Sequence, residues 1–489
     1  MPNSSATPSQ RRFCWLFILA SLLILFFGEA LSRWLGLYGS VVLVCLVCGI
    51  ILWPLRVSGS RFDIANVLLL FVAYYFMSFG MYGFMNAFGL SHFLGVSYDP
   101  SSDSPANLSS LASVYSAALL LSIYAGYSWS PRVSLSEGKK CLPLQAGSSV
   151  DLRMLPNLQI SALLALGLSY TGFVLMVYFL GGMSVIGRDP TYLATEGTHG
   201  LYWAAALIST NYWAFIVNFF SFAVLKKVKY LFLAALSVPL FLLEFLLSGS
   251  KGALLFPLVG LLMVRHYCYR RINWRTVVAL GAIVLVVFAA GYAYRSAGAR
   301  RADFGEGMTS YYQNPAALLE TLVGRFYGTD SFAIVLDSVH NGQPLLMGRS
   351  FADLLTWYIP RWLWPGKPVS FAITFGQEFM PGAAGAGDTY YSASLPGELY
   401  LDFGRFGLLL GGIVIGLFLR YLYRKLIGQE HRKIESIVLY TMIAPLAAQL
   451  SEGPISTDIE FILTRVILYV LLLRVAGIVE TPLVKRCPA

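Results

Sequence analysis

The chain has 489 residues, of which 57% are hydrophobic and 12% charged, with a formal net charge of +10. That balance excludes a water-soluble globular domain, because a surface facing water must carry more polar groups than this chain supplies. It fits a chain solvated by lipid, where each crossing of a hydrocarbon core about 30 Å thick takes roughly 20 apolar residues.

Apolar windows predict spans at 13–31, 38–55, 64–88, 108–128, 158–181, 201–225, 229–248, 252–268, 276–294, 406–423, 435–451 and 459–479. Backbone groups in lipid must be satisfied within their own segment, so these windows are read as helices. The alternation of a membrane barrel strand is absent. The expected fold class is therefore an all-α polytopic membrane protein with about twelve transmembrane helices. Residues 1–294 carry helices one to nine, 295–405 form one large loop, and 406–489 carry three more helices and a tail. The first window, Phe13 to Leu31, is long enough to span and lacks a small-residue cleavage site, so it is read as a helix that stays. Cys45 and Cys48 form a C-x-x-C inside the second window, where packing explains them better than redox chemistry. The large loop has no cysteine, so no disulfide is expected there.

Basic residues orient the chain. With the N-terminus in the cytosol, the inner segments hold 23 of the 35 Lys and Arg residues, whereas the short outer connections hold Arg33, Arg188 and Lys251 alone. The positive-inside rule then puts both termini in the cytosol and the 295–405 loop outside. The positive charge is accounted for by topology, and no nucleic-acid partner is called for.

The large loop has its own pattern. Asn314-Pro315 predicts an N-cap and first helical residue of a helix reaching about Val339. Ser350 and Asp353 have capping-box spacing before Leu354, Leu355, Trp357 and Tyr358, which predicts a short interfacial helix ending by Pro360. Residues 360–368 read P-R-W-L-W-P-G-K-P, a proline-stiffened aromatic turn with two cations. The Gly/Ala-rich stretch 381–387 suits a mobile lid. The loop closes on Leu395-Pro396-Gly397-Glu398-Leu399-Tyr400-Leu401-Asp402-Phe403-Gly404.

The pattern P-R-x-x-W-P-x-K-P, followed by P-G-E-x-Y-x-x-F-G-x-x-G at 396–407, resembles the bacterial Wzy-type O-antigen and oligosaccharide repeat-unit polymerases. Ser248-Gly249-Ser250-Lys251-Gly252 resembles the S-G-S-R-G segment of such proteins, with Lys251 where arginine is usual. By motif the likeness covers about 240–425. It implies a GT-C-like polymerase architecture in a bacterial cytoplasmic (inner) membrane, with the loop in the periplasm. The implied reaction moves a growing glycan from undecaprenyl diphosphate to the non-reducing end of the next lipid-linked repeat unit. The partners implied are that lipid-linked oligosaccharide, membrane lipids and a chain-length-regulating co-polymerase.

Departure of a diphosphate calls for cations. The five histidines are scattered and no D-x-D pair occurs in the loop, so no metal or other cofactor is expected. Arginine can substitute, since its planar fork binds phosphate oxygens bidentately. Arg361 and Lys367 are the leading candidates, with Arg295, Arg325, Arg188 and Lys251 as further substrate contacts. Lipid headgroups, helix-end anchoring or ion pairs along a helix explain these cations as well. Loss of the acceptor's hydroxyl proton calls for a carboxylate. Glu398 is the first choice, with Asp402, Asp388 and Asp330 behind it, although Glu398 is also where a helix N-terminus favours negative charge. Tyr390, Tyr391, Trp362 and Trp364 could stack on sugars or form an interfacial belt. Glu244 and Arg465, inside predicted spans, are expected to form a structural ion pair. Two alternatives remain open: an O-antigen ligase, using the same donor, and a transporter or flippase. Against the last, no internal repeat is present.

Overall fold

A computed structural model describes residues 8–57, 65–88, 105–129, 155–179, 202–248, 252–268, 326–356, 370–379, 391–428 and 434–477, with a few isolated positions between them. Among the described residues the secondary structure is helical, with no strand. The helices are α1 (Pro8–Val57), α2 (Val67–Tyr75), a π-helical turn (Phe76–Met81), α3 (Tyr82–Ala87), α4 (Pro105–Trp129), α5 (Leu155–Phe179), α6 (Tyr202–Ser209), α7 (Asn211–Leu225), α8 (Val228–Ala235), α9 (Ser237–Ser248) and α10 (Gly252–Cys268). They continue with α11 (Gly328–His340), a 3-10 turn (Arg349–Phe351), α12 (Ala352–Thr356), α13 (Phe371–Phe379), α14 (Leu395–Leu426), α15 (Ile434–Gln449) and α16 (Ile455–Val475). Helices lie over every predicted span except 276–294, which is largely outside the described residues. Seven described helices are long and apolar enough to cross a membrane. The protein is a helical, polytopic, membrane-embedded chain. Large apolar side chains such as Phe26 (75% exposed) and Trp34 (81%) point outward; a bilayer solvates such a face, and water would not.

The chain divides into two compact units. The first comprises residues 1–142, 310–430 and 444–460; the second 143–309, 431–443 and 461–489.

In the first unit α4 is the central helix. Its serines point into neighbouring helices, with Ser110 Oγ 2.6 Å from Ser40 Oγ and Ser122 Oγ 2.7 Å from Ser21 Oγ. In lipid such interhelical hydrogen bonds and small side chains replace the hydrophobic drive between helices. The same Ser110 hydroxyl also reaches the carbonyl of Ser32 at 3.0 Å. Ser32 and Ser40 would stand about 12 Å apart on a straight helix. The chain therefore turns back at Gly36, whose φ of 61° and ψ of −174° interrupt the helix. α1 is thus two arms against α4, matching the separate windows 13–31 and 38–55.

A second reversal shapes α14. Its helical geometry breaks at Gly404 (φ 61°, ψ −146°), a conformation open to glycine and strained for other residues. Leu399 and Gly411 would be about 18 Å apart on a straight helix. Instead, a Cβ on Gly411 would lie 2.6 Å from the Leu399 side chain, and one on Gly407 2.0 Å from the Leu399 carbonyl oxygen. Residues 395–403 therefore fold back as a short arm against the start of the long arm, 405–426. On another face of that arm Gly412 and Gly416 receive α4, which contributes Gly126. The π-helical turn of Phe76–Met81 presents the Ser78 carbonyl to Thr329 Oγ of α11 at 3.3 Å, giving a partner to a backbone group the wider turn releases.

The second unit is built on α5 to α10. Trp213 of α7 is fully buried, donates from Nε1 to Ser161 Oγ at 3.0 Å and stacks on Tyr469 with centroids 5.2 Å apart. Gly260 of α10 leaves room for the Tyr212 hydroxyl, which donates to the Phe256 carbonyl at 2.9 Å. Glu244 and Arg465, the two intramembrane charges, lie within electrostatic reach of one another.

The glycine contacts make a direct prediction. A Cβ at Gly416 would meet the Ile123 carbonyl oxygen at 2.0 Å and the Tyr127 amide nitrogen at 2.7 Å. Gly416→Val should force α4 and the long arm of α14 apart, costing about 1–3 kcal/mol. Gly49→Ala, where nothing lies within 4 Å, is the control. Thermal unfolding in detergent should show a lower midpoint for the first and no loss for the second.

Candidate functional site

The short arm of α14 starts after Ser394, held at φ 63°. Its amide donates to Ser392 Oγ at 3.0 Å, and that hydroxyl donates to the Glu452 carbonyl at 2.6 Å. Pro396 sits in the first turn, where its missing N–H removes no helical bond. Glu398 and Asp402 follow at i, i+4 spacing, which sets both on one face of the arm.

Both carboxyl groups are fully buried. Burial of this kind costs several kcal/mol per charge unless donors meet it, and the donors come from two distant segments. Gly348 N–H and Ser350 N–H reach Asp402 Oδ1 at 2.9 and 3.4 Å. Ser350 Oγ meets Asp402 Oδ2 and, at 3.0 Å, Glu398 Oε1. Glu398 Oε2 accepts the Ile455 N–H, at the start of α16, at 2.6 Å. Residues 346–350 also close the end of the arm, since Leu346 N–H and Met347 N–H each reach the Leu401 and Asp402 carbonyls, respectively, at 3.0 Å. Gly348, at φ 88°, makes the turn that aims these donors.

Sequence expectations map onto this geometry unevenly. Glu398 and Asp402, named separately as carboxylate candidates, form one cluster. Ser350 was expected to cap a helix; the helix is there, as a 3-10 turn and α12, but its hydroxyl serves the carboxyl pair instead. The helix expected over 315–339 is helical from Gly328, with Phe326 and Tyr327 outside it. Gly328 packs so closely on Phe79 that a Cβ would lie 2.8 Å from its ring. The earlier part of that helix is outside the described residues. Lys367 is partly buried and donates from Nζ to the Ile359 carbonyl at 3.3 Å. Trp364, whose carbonyl accepts the Lys367 N–H at 3.0 Å, is 40% exposed. Tyr391 is buried, its amide bonded to the Ala372 carbonyl at 3.2 Å. Arg361, Arg295, Arg325, Arg188, Lys251, Asp388, Tyr390 and Trp362 lie outside the described residues.

The chain matches no family model, no curated protein and no solved structure. The chemistry has to be argued from its own residues.

Two further features lie in the same unit. Asp330, on α11, accepts the Tyr82 hydroxyl at 2.6 Å, and burial raises its carboxyl to about 6. An open polar cleft of about 560 Å³ is lined by Asp337, Ser338, Asn341, Gln343, Glu378 and Phe379. Phe379 stacks on Phe375 with centroids 5.0 Å apart. Among the described residues no metal-binding group of His, Cys, Asp and Glu occurs.

Sequence reasoning missed the cleft altogether. The i, i+4 spacing of Glu398 and Asp402 was a readable signal that the two act together, whereas nothing local marks Ser350 as their partner.

Asp330 gives a pH prediction. Folding raises its carboxyl from 3.8 to about 6, so folding favours the protonated form. Its stabilising contribution is complete below about pH 4 and is lost as the pH rises through about 6, on the order of 3 kcal/mol. Asp330→Asn should flatten the fall in unfolding midpoint between pH 4 and 7. An unchanged slope would assign the dependence to other groups.

Proposed function

We propose that the protein is a polymerase of lipid-linked oligosaccharide repeat units in O-antigen, capsular or exopolysaccharide biosynthesis. The observation that carries this reading is the pair of motifs in 360–368 and 396–407, the second of which forms the buried-carboxyl arm at the head of a long apolar helix. About twelve spans, cytosolic termini and an outer 295–405 loop complete the reading, with the basic-residue asymmetry as its support.

The topology sets the energetics. Nucleotide sugars stay in the cytosol, so a transferase working on the outer face takes a donor already activated on a lipid. Departure of undecaprenyl diphosphate from the donor sugar drives transfer to the acceptor hydroxyl. Arg361 and Lys367 hold the leaving diphosphate, with Arg295, Arg325, Arg188 and Lys251 as further contacts along the lipid-linked substrate. The proton of the acceptor hydroxyl goes to the Glu398–Asp402 carboxyl pair. The cleft between α11 and α13 suits a glycan, because sugar hydroxyls need the mixed donors and acceptors of Asn341, Gln343, Asp337 and Glu378, and a sugar face packs on Phe379. In this reading Trp364 and Tyr391 are further contacts to the same substrate. A separate co-polymerase sets chain length. No step calls for a metal.

Reconstitution with a lipid-linked repeat unit tests the reaction. Purified protein in detergent should lengthen it with no gradient or second compartment, which a flippase cannot do. A ligase would instead transfer the glycan to lipid A-core and leave repeat number unchanged. Arg361→Ala should lower turnover about 10- to 150-fold, the loss of one charged hydrogen bond acting in the transition state. Wild-type turnover in that variant would remove Arg361 from the site while leaving the reaction standing.

A further inference from the structure

Ser350 Oγ stands within hydrogen-bonding distance of two carboxyl oxygens, Glu398 Oε1 and Asp402 Oδ2. Its hydroxyl has one proton to give. A hydroxyl can divide that proton between two neutral carbonyls. Two anions converging on it in a buried pocket are another matter, since each repels the other at short range and one is driven to take up a proton. Among the described residues no Lys or Arg bonds to either group. Among the described residues the other ionisable side chain beside Glu398 is Asp458 of α16, also an acid, whose Oδ2 has no hydrogen-bond partner there. Beyond it lie Glu452 and Tyr74; of the cations next to the pair in sequence, Arg349 is exposed and Arg405 pairs with Glu29, so among the described residues neither bonds to Glu398 or Asp402.

The remaining donors say where the proton rests. Asp402 takes two backbone N–H groups on Oδ1 and the Ser350 hydroxyl on Oδ2, which is the surrounding of an anion. Glu398 takes one backbone N–H, on Oε2, and its Oε1 faces a serine oxygen whose own proton is already directed at Asp402. We infer that Glu398 is held as the neutral acid and donates from Oε1 to Ser350 Oγ, which in turn donates to the Asp402 anion. One proton on Glu398 and one on Ser350 then run in a single line towards one negative charge.

This line is a latch. It joins the 346–350 segment, the short arm of α14 and the start of α16, three pieces far apart in sequence, and it closes only while Glu398 keeps its proton. Stripping that proton leaves two carboxylates facing one hydroxyl. The charged member able to receive a proton is Asp402, by way of Ser350, and Glu398 is the positioning residue. The inference stands on hydrogen-bond geometry and does not depend on the reaction proposed above.

Paired isosteric variants of the full chain, purified in detergent, test it. Glu398→Gln keeps an N–H towards Ser350 Oγ and an oxygen towards the Ile455 amide, so it mimics the acid. Its unfolding midpoint should equal wild type near neutral pH and lose any fall seen on raising the pH above about 7, where the Asp330 contribution is already gone. Asp402→Asn turns an amide N–H2 towards groups that already donate, and should lower the midpoint by on the order of 5 °C. Equal losses in the two variants, or a silent Asp402→Asn with a damaged Glu398→Gln, overturn the assignment. Infrared spectroscopy of the chain carrying ¹³C-labelled glutamate reads the same proton without asking any carboxyl-pair variant to fold. A protonated glutamate carbonyl stretch at neutral pH that persists in Glu244→Gln supports the latch, and its absence overturns it.

Discussion

A carboxyl group taken out of water needs donors, and Glu398 and Asp402 are both fully buried. Their donors come from Gly348, Ser350 and Ile455, on segments about fifty residues to either side. Satisfying one pair of acids therefore dictates how three pieces of chain meet. The segment 346–350 is spent twice, on the side chains and on the open carbonyls at the end of the arm, so it cannot move without exposing both.

The acids occupy that place because the chain reverses at Gly404. A side chain there would be strained at φ 61°, and side chains at Gly407 and Gly411 would collide with Leu399. The row of glycines continues along the long arm at Gly412 and Gly416, where α4 comes to backbone distance. One glycine-rich stretch thus does two jobs. Its first residues let the short arm lie back on the helix, and its later ones seat that helix on the centre of the unit. Membrane helices depend on such close approach, because lipid and protein side chains are equally apolar and association must come from contact and hydrogen bonding.

The serines of α4 follow the same logic. Ser110 and Ser122 bond to Ser40 and Ser21 on the two arms of α1, so each arm is held by a polar tie within an apolar surface. Polar residues in this unit fall into two sets. One set locks helices together, and the other gathers at the Glu398–Asp402 pair and the open cleft beside α11.

Local sequence was enough to place the described helices that lie over the apolar windows, because a helix in lipid satisfies its backbone alone and apolar length is then sufficient, whereas α13 and the short arm of α14 were not foreseen. It separated the two arms of α1 as two windows, and it put the start of the tenth window within a residue or two of the break at Gly404. It also named Glu398 first, as a carboxylate just before the tenth window, with Asp402 among the weaker candidates behind it. Which groups answer those carboxylates was decided by tertiary structure alone. Ser350 carries a helix-capping spacing in the sequence, and only the fold turns its hydroxyl away from that role towards the acids. The cleft of Asp337, Asn341, Gln343 and Glu378 likewise exists only when α11 and α13 are brought together. Helix formation is a property of neighbours along the chain, whereas proton sharing and a binding surface depend on distances between segments that no local pattern encodes.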